Sequence, residues 1–179
     1  MKKIAIVLLA ILLLLLFFVH IQDEAALYEF AWTFDQLASP PDNGYEDLWQ
    51  VGSVSPDFDS SDALVTISLM KETLTPYNAM FVIRNKSQNE VTFGLEYFLQ
   101  VQVEGKWHEM QRTSDELSAW LAVGLSCPPF ESRKRAANWW TMYGILPSGT
   151  YRLVKPINDS ERSDDGEPRQ IFLTAEFTL

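Results

Sequence analysis

Two acidic loops hold the side chains of this sequence that are best suited to chemistry. The first contains Asp57, Asp59 and Asp62, and the second covers residues 158–167 with the sequence NDSERSDDGE. Carboxylates that converge from one loop are ligands that Ca²⁺ prefers, and paired carboxylates can also act as acid and base. Neither loop has EF-hand spacing, and solvated acidic loops are commoner than calcium sites. We therefore predict no metal and no cofactor, and a calcium-dependent or carboxylate-based envelope enzyme is the alternative function.

Other catalytic or metal-binding groups are scarce in this sequence. The chain has one cysteine, Cys127, and two histidines, His20 and His108. A zinc site needs three or four ligands, and no serine lies in an elbow motif that could pair with His108. We interpret Cys127 as a semi-buried small apolar residue and His108 as a solvent-facing residue of a hairpin strand. The sequence thus predicts a protein that is not an enzyme.

The candidate binding residues are exposed aromatic side chains and residues of the loops. Phe98 falls on the polar side of an alternating stretch, and one of Trp139 and Trp140 is expected to face outward. An exposed aromatic ring can mark a contact patch, and loops at the end of a sandwich vary without disturbing the core. The candidate partner-binding residues are Phe98, Trp139, Asp159, Glu161, Asp164 and Asp165.

The stretch from Val91 to Met110 indicates the elements that position these residues. Its odd positions up to 103 are apolar, and the even positions are nearly all polar or small: the apolar set is Phe93, Leu95, Tyr97, Leu99, Val101 and Val103. A period of two predicts a β-strand with one buried face. Glu104-Gly105 then predicts a turn, and residues 106–110 a returning strand.

Shorter stretches predict further strands along the chain. They include 65–69, 79–83, 150–154 and 171–179, with an edge strand near 48–54, while 156–169 is interpreted as a polar connection. Many short strands without intervening helices are typical of an antiparallel sandwich. The predicted fold is an all-β, immunoglobulin-like antiparallel β-sandwich with seven to eight strands.

The segment from Leu146 to Tyr151 is the most specific local motif. Pro147 and Gly149 predict a corner, and Tyr151 enters the next strand. A tyrosine at such a corner of a Greek-key sandwich bonds back to the backbone a few residues upstream. We interpret Tyr151 as this structural pin, with an ordinary core tyrosine as the alternative.

These motifs together resemble a known family. They are Phe-Gly-x-x-Tyr at 93–97, Gly-Lys-Trp at 105–107, and Tyr-Gly…Leu-Pro-x-Gly-x-Tyr-Arg at 143–152. From Asp62 to Leu179 the chain is similar to the bacterial immunoglobulin-like domain of exported proteins and lipoproteins of Gram-positive bacteria. The resemblance implies a sandwich without catalytic residues. The chain departs from the lipoproteins because no lipid-attachment cysteine follows its apolar segment.

The N-terminal segment predicts export. Lys2 and Lys3 precede sixteen apolar residues, 4–19, which is long for a cleaved signal and short for a membrane span. Residues 1–21 are therefore a signal peptide or a signal anchor. Residues 22–61 are predicted to form a juxtamembrane helix and linker, and residues 62–179 the sandwich. The predicted location is the extracytoplasmic face of the cell membrane, or outside the cell after cleavage.

Charge limits the partners of the exported part. Without Lys2 and Lys3 it holds 12 basic and 24 acidic residues. A surface of this sign repels nucleic-acid phosphates and anionic headgroups, so we predict no nucleic-acid partner and membrane contact through the N-terminal segment only. The predicted function is a non-enzymatic extracytoplasmic module that binds an unknown protein or cell-envelope partner.

Overall fold

Ten β-strands contain most of the residues that the structure, a computed structural model, describes, namely 49–55, 58, 64–112, 124–159 and 169–179. The strands are β1 (Gln50–Val54), β2 (Val65–Leu69), β3 (Ala79–Asn85), β4 (Val91–Phe93), β5 (Phe98–Val103), β6 (Lys106–Gln111), β7 (Leu125–Cys127), β8 (Ser132–Ala137), β9 (Thr150–Asp159) and β10 (Arg169–Thr178). A 3₁₀ turn covers Lys71–Thr73, and a one-turn helix, α1, covers Trp140–Tyr143.

All strand pairs in the described residues are antiparallel and form two sheets. The smaller sheet has the order β2-β3-β8, and the larger sheet is built around β9. β10 pairs with the whole length of β9, while β5 and β4 follow one another along its other edge; β6 and β1 continue beyond β5, and β7 beyond β4. The all-β antiparallel prediction is confirmed, with ten strands rather than seven or eight.

The core consists of the alternating side chains that the sequence predicts to point inward. Tyr97, Leu99 and Val101 are 3%, 1% and 8% exposed, and Leu173 and Phe177 of β10 are buried with them. The apolar face of each strand meets the other sheet in one cluster of buried residues. Burial of this apolar area is the main favourable term for folding.

The predicted single strand from Val91 is wrong at one point, because β4 and β5 are separated by residues 94–97. Thr92 lies opposite Asn158, whereas Phe98 lies opposite Val154. The seven residues 92–98 therefore lie opposite the five residues 154–158, so two extra residues interrupt the ladder. Within the break, Leu95 is 38% exposed instead of pointing inward.

The predicted tyrosine corner is confirmed. The Tyr151 hydroxyl donates a 2.7 Å hydrogen bond to the carbonyl of Pro147. Its ring lies 5.4 Å from Phe177 and 3.2 Å from where a Cβ at Gly149 would be. Gly149 and Leu179 exchange two backbone hydrogen bonds, which hold the end of the chain at this corner.

The outer face of the larger sheet is partly covered by the chain that follows β1. The Gln100 amide donates to the Ser55 hydroxyl and accepts from Arg152 Nε at 2.7 Å. Phe58 lies 4.8 Å from Phe172 of β10, between ring centroids. Ser55 and Phe58 precede residue 62, so residues from the predicted linker take part in the sheet packing. The 62–179 boundary itself stays a prediction.

The predicted N-terminal anchor and the helix after it lie outside the described residues, as do Asp57, Asp59 and Asp62. In the part of the chain that the structure describes, no helix has the length and apolar character needed to cross a membrane.

Candidate binding surfaces

Trp139 is a core residue and not part of an exposed contact surface. Its side chain is fully buried, stacks on Phe177 at 5.3 Å, and donates from Nε1 to the Pro76 carbonyl at 2.9 Å. The choice of Trp139 as a partner-binding residue is wrong because the indole finds both apolar neighbours and a carbonyl acceptor inside. The neighbouring Trp140 is half-buried and begins α1.

Asp159 also differs from its predicted position. It is 3% exposed and ends β9, opposite Val91 on one side and Arg169 on the other. The strands of this hairpin extend further than predicted, so residues 156–159 belong to the sheet instead of the loop. Glu161, Asp164 and Asp165 lie outside the described residues and stay predictions.

Phe98 remains a candidate contact residue. Its side chain is 38% exposed, and the Arg112 guanidinium lies 5.0 Å from the ring centroid. The residue begins β5 opposite the buried Val154. One side of the ring therefore covers the sheet, and the remainder is accessible to a partner.

Cys127 and His108 have structural environments. Cys127 is fully buried, its Sγ lies 3.5 Å from the carbonyl oxygen of Glu131, and burial raises the pKa of the thiol, which keeps it protonated and unreactive. His108 is half-buried, with Nδ1 3.2 Å from the Gly52 carbonyl, so the solvent-facing prediction is wrong. Among the described residues, no group of three His, Cys, Asp or Glu side chains could hold a metal ion.

Sequence reasoning missed the buried amine of Lys155. Its Nζ donates to the carbonyls of Gly94 at 2.8 Å and Glu96 at 2.5 Å, and lies 5.4 Å from the Phe93 ring centroid. The side chain thus satisfies backbone acceptors in the break between β4 and β5. Burial lowers the pKa of Lys155 to about 8, and the charge of Glu96 opposes this shift. A role in holding the strand break accounts for these contacts.

The outer face of the smaller sheet carries basic and hydroxyl side chains in two cross-strand rows. Thr66, Arg84 and Ser132 are opposite one another on β2, β3 and β8, and so are Ser68, Val82 and Lys134. Directly opposite residues share one face of a sheet. All of them except Val82 are exposed. We call this set of five exposed residues, together with Lys71, the basic face.

Lys71 extends the basic face beyond β2. The 3₁₀ turn that carries it is fixed by Thr73, whose hydroxyl donates to the Met70 carbonyl and accepts from the Met80 amide, both at 2.8 Å. A groove of about 540 Å³ lies between this turn and the strands, and Lys71, Arg84 and Lys134 are among its lining residues. The cations of the basic face therefore border one shared groove.

The basic face stands out because the chain as a whole is acidic. Its groove is lined by three basic residues, Lys71, Arg84 and Lys134, and by one acidic residue, Glu72, a net charge of +2. The whole chain carries −10, which leaves −12 for the remainder. Of the run Arg133-Lys134-Arg135, only Lys134 belongs to the basic face, because its two neighbours lie opposite the buried Ile83 and Phe81 on the other side of β8. Arg84 joins Lys134 only through the pairing of β3 with β8.

Antiparallel strands in two sheets, a filled interior and a tyrosine corner define an immunoglobulin-like β-sandwich. Residues 61–178 match the family described as the bacterial Ig-like domain, and the chain belongs to this family. This membership is consistent with a non-enzymatic module, since domains of this kind are generally not enzymes. No curated protein matches the chain.

Several solved structures resemble the chain at low identity. A structural-genomics target designated SoR45 is 11% identical, with 74% of this chain and 86% of that chain covered and a TM-score of 0.33. The putative ApaA protein from Bordetella pertussis is 16% identical, with coverages of 73% and 91% and a TM-score of 0.32. The ASH/PapD-like domain of human CEP192 is 10% identical, with coverages of 78% and 90% and a TM-score of 0.26.

Proposed function

We propose that this protein is a non-enzymatic interaction module that acts outside the cytoplasm and binds a protein or a cell-envelope component. The observation that carries the proposal is the basic face, which has three exposed cations on a chain with a net charge of −10. Charge of one sign on one sheet attracts a partner of opposite sign and orients the encounter.

The architecture supports binding at a surface. Large side chains such as Trp139, Tyr143 and Leu153 fill the space between the sheets. A second groove, of about 700 Å³, follows the seam between β2 and β10 and shares Ser68, Leu69 and Lys71 with the first. Both grooves are therefore on the outside of the sandwich, where side chains can vary without loss of the core.

The location rests on the N-terminal segment. Lys2 and Lys3 followed by sixteen apolar residues favour export, with the basic residues left in the cytoplasm. Membership of the bacterial Ig-like domain family is compatible with the same location. We propose that the sandwich is held at the outer face of the membrane, or is secreted after cleavage.

Protease treatment of intact cells tests the location. We expect protease added outside to digest the sandwich without lysis, and the mass of the mature chain to show whether residues 1–21 are retained. Digestion that requires lysis would contradict the proposal.

Site-specific crosslinking tests the binding role. A photoreactive residue in place of Lys134 is expected to crosslink a partner in native cells, whereas the same residue in place of the exposed Lys106, on the β5–β6 hairpin, is not. Equal crosslinking at both positions would show that the basic face has no special role.

A further inference from the structure

We propose that the basic face binds a phosphodiester-linked polyol chain of the cell envelope. This inference rests on the proposed function, because it names the chemistry of the envelope component. Three observations support it: the placement of the donors, the side chains that line the groove, and the position of the groove on the sheet.

The donors are spread along the face and not gathered at one point. Arg84 and Lys134 are diagonal neighbours on adjacent strands, which places their Cα atoms roughly 7–8 Å apart. Lys71 lies farther along, on the fixed turn beside β2. Successive cations with hydroxyls between them suit a ligand that presents an anionic group in each of several repeats.

Each repeat of the ligand is expected to bind weakly by itself, and the linked repeats to bind more tightly together. Each exposed cation contributes little on its own, since water screens its charge. Repeated anionic groups on one chain convert successive contacts into intramolecular ones and raise the overall affinity. Phosphate groups also accept hydrogen bonds from Arg, Lys and hydroxyl donors at the same time.

The lining distinguishes this ligand from a bilayer. The exposed large apolar side chains of the described residues, among them Val54 and Phe130, do not line the groove. Interfacial membrane binding needs apolar side chains that enter the acyl boundary. The groove instead presents Lys71, Arg84 and Lys134, with one carboxylate from Glu72, above the buried Val82. Its other apolar lining residues, Leu69 and Met70, are half-buried.

The position of the groove distinguishes the ligand from an added peptide strand. Peptides that extend a sheet pair with the backbone of an edge strand. Arg84 belongs to β3, the central strand of the smaller sheet, whose backbone pairs with β2 and β8. The face therefore offers side-chain donors, which recognise charged groups and not a peptide backbone.

Binding of poly(glycerol phosphate) to the full-length chain tests the proposal. We expect Arg84→Gln with Lys134→Gln to weaken binding at least about tenfold, and binding by the unaltered chain to weaken as salt rises. The matched control is Lys106→Gln with Arg112→Gln, which removes the same charge from two exposed residues, the first of β6 and the one that follows β6, and is expected to change binding less than about twofold. Equal melting temperatures would show that both variants fold.

The outcomes separate this inference from the proposed function. Absence of polymer binding, or equal loss in both double variants, overturns the inference. Stronger binding to vesicles that contain phosphatidylglycerol would identify the face as a bilayer contact, and stronger binding to poly-glutamate would identify an acidic polypeptide partner; each overturns it too. In every one of these cases a Lys134 crosslink in cells would still support the binding role.

Discussion

The buried amine of Lys155 shows at the scale of one residue how the sandwich tolerates an interrupted strand. Its amine donates hydrogen bonds to the carbonyls of Gly94 and Glu96, which lie in the break between β4 and β5. Burial lowers the pKa of this amine to about 8 from its usual 10.5. At neutral pH this shift makes the folded state about 3 kcal/mol less stable than it would be with an unshifted lysine pKa.

This shift predicts a stability that rises with pH. Between pH 8 and 10 the unfolded chain keeps the Lys155 proton and the folded chain releases it, so the free energy of unfolding increases. We expect the free energy of unfolding of the unaltered chain, minus that of Lys155→Met, to increase by about 2 kcal/mol from pH 8 to pH 10. Urea unfolding at several pH values measures it.

A comparison with an exposed lysine controls for other titrating groups. Burial raises the pKa values of Cys127 and Tyr151, and each of these groups lowers stability as pH rises, but they are common to both chains and cancel in the difference. Lys106→Met, at an exposed residue of β6, is the matched control for the loss of one positive charge. A flat difference for Lys155→Met would contradict the prediction.

The hydroxyl of Tyr151 permits a second prediction at this scale. Tyr151→Phe removes the 2.7 Å bond to Pro147 but keeps the ring against Phe177. We expect a loss of about 1–2 kcal/mol, because the partly buried carbonyl loses its donor. Tyr151→Ala, which also removes the ring, is expected to lose about 3–5 kcal/mol. Denaturant unfolding of both variants separates the hydroxyl from the ring, and an unchanged Tyr151→Phe midpoint would make the corner bond irrelevant to stability.

At the scale of elements, alternation predicted the strands well but not their ends or interruptions. Tyr97 and Leu99 point inward as their spacing indicates. The break at 94–97 left no signal in the pattern, because inserting two residues preserves a period of two. The sequence of the partner strand held one signal of the break. Pro156, which has no N–H to donate, lies in β9 between the residues that pair with β4 and those that pair with β5.

Two glycines, one in β1 and one directly before β7, predict opposite effects of the same substitution. A Cβ at Gly52 would lie 2.9 Å from the Glu109 carbonyl oxygen, so Gly52→Ala pushes β1 away from β6. We expect it to cost about 1–2 kcal/mol and to speed hydrogen exchange in β1. Gly124 has open space, and Gly124→Ala is expected to be neutral or to stabilise by up to about 1 kcal/mol. Equal effects of the two substitutions would show that β1 does not approach β6 so closely.

At the scale of the whole molecule, the net charge gave no indication of the basic face. A net charge of −10 predicted repulsion from anions, yet pairing gathers Arg84 and Lys134 on one sheet. These residues are 50 positions apart, so composition could not bring them together. Trp139 and Trp140 show the same limit, since adjacent indoles give no signal of which one enters the core.

The extent of the folding unit gives the last prediction. β1 pairs with β6, the Ser55 amide donates to the Trp107 carbonyl at 2.9 Å, and Phe58 packs on Phe172. A chain of residues 62–179 loses these contacts and exposes the Gln100 amide, which is 1% exposed here. We expect it to unfold roughly 10 °C below a chain of residues 37–179, a loss of about 3 kcal/mol.

A milder variant keeps this prediction testable if the shorter chain fails to fold. Ser55→Ala with Phe58→Ala in the 37–179 chain removes the Gln100 and Phe172 contacts but keeps β1. It is expected to lose about 2 kcal/mol in thermal or urea unfolding. If both altered chains have the same melting temperature as the 37–179 chain, the residues before 62 add nothing to the stability of the sandwich. If both melt lower, the folding unit begins before residue 61, where the family match starts.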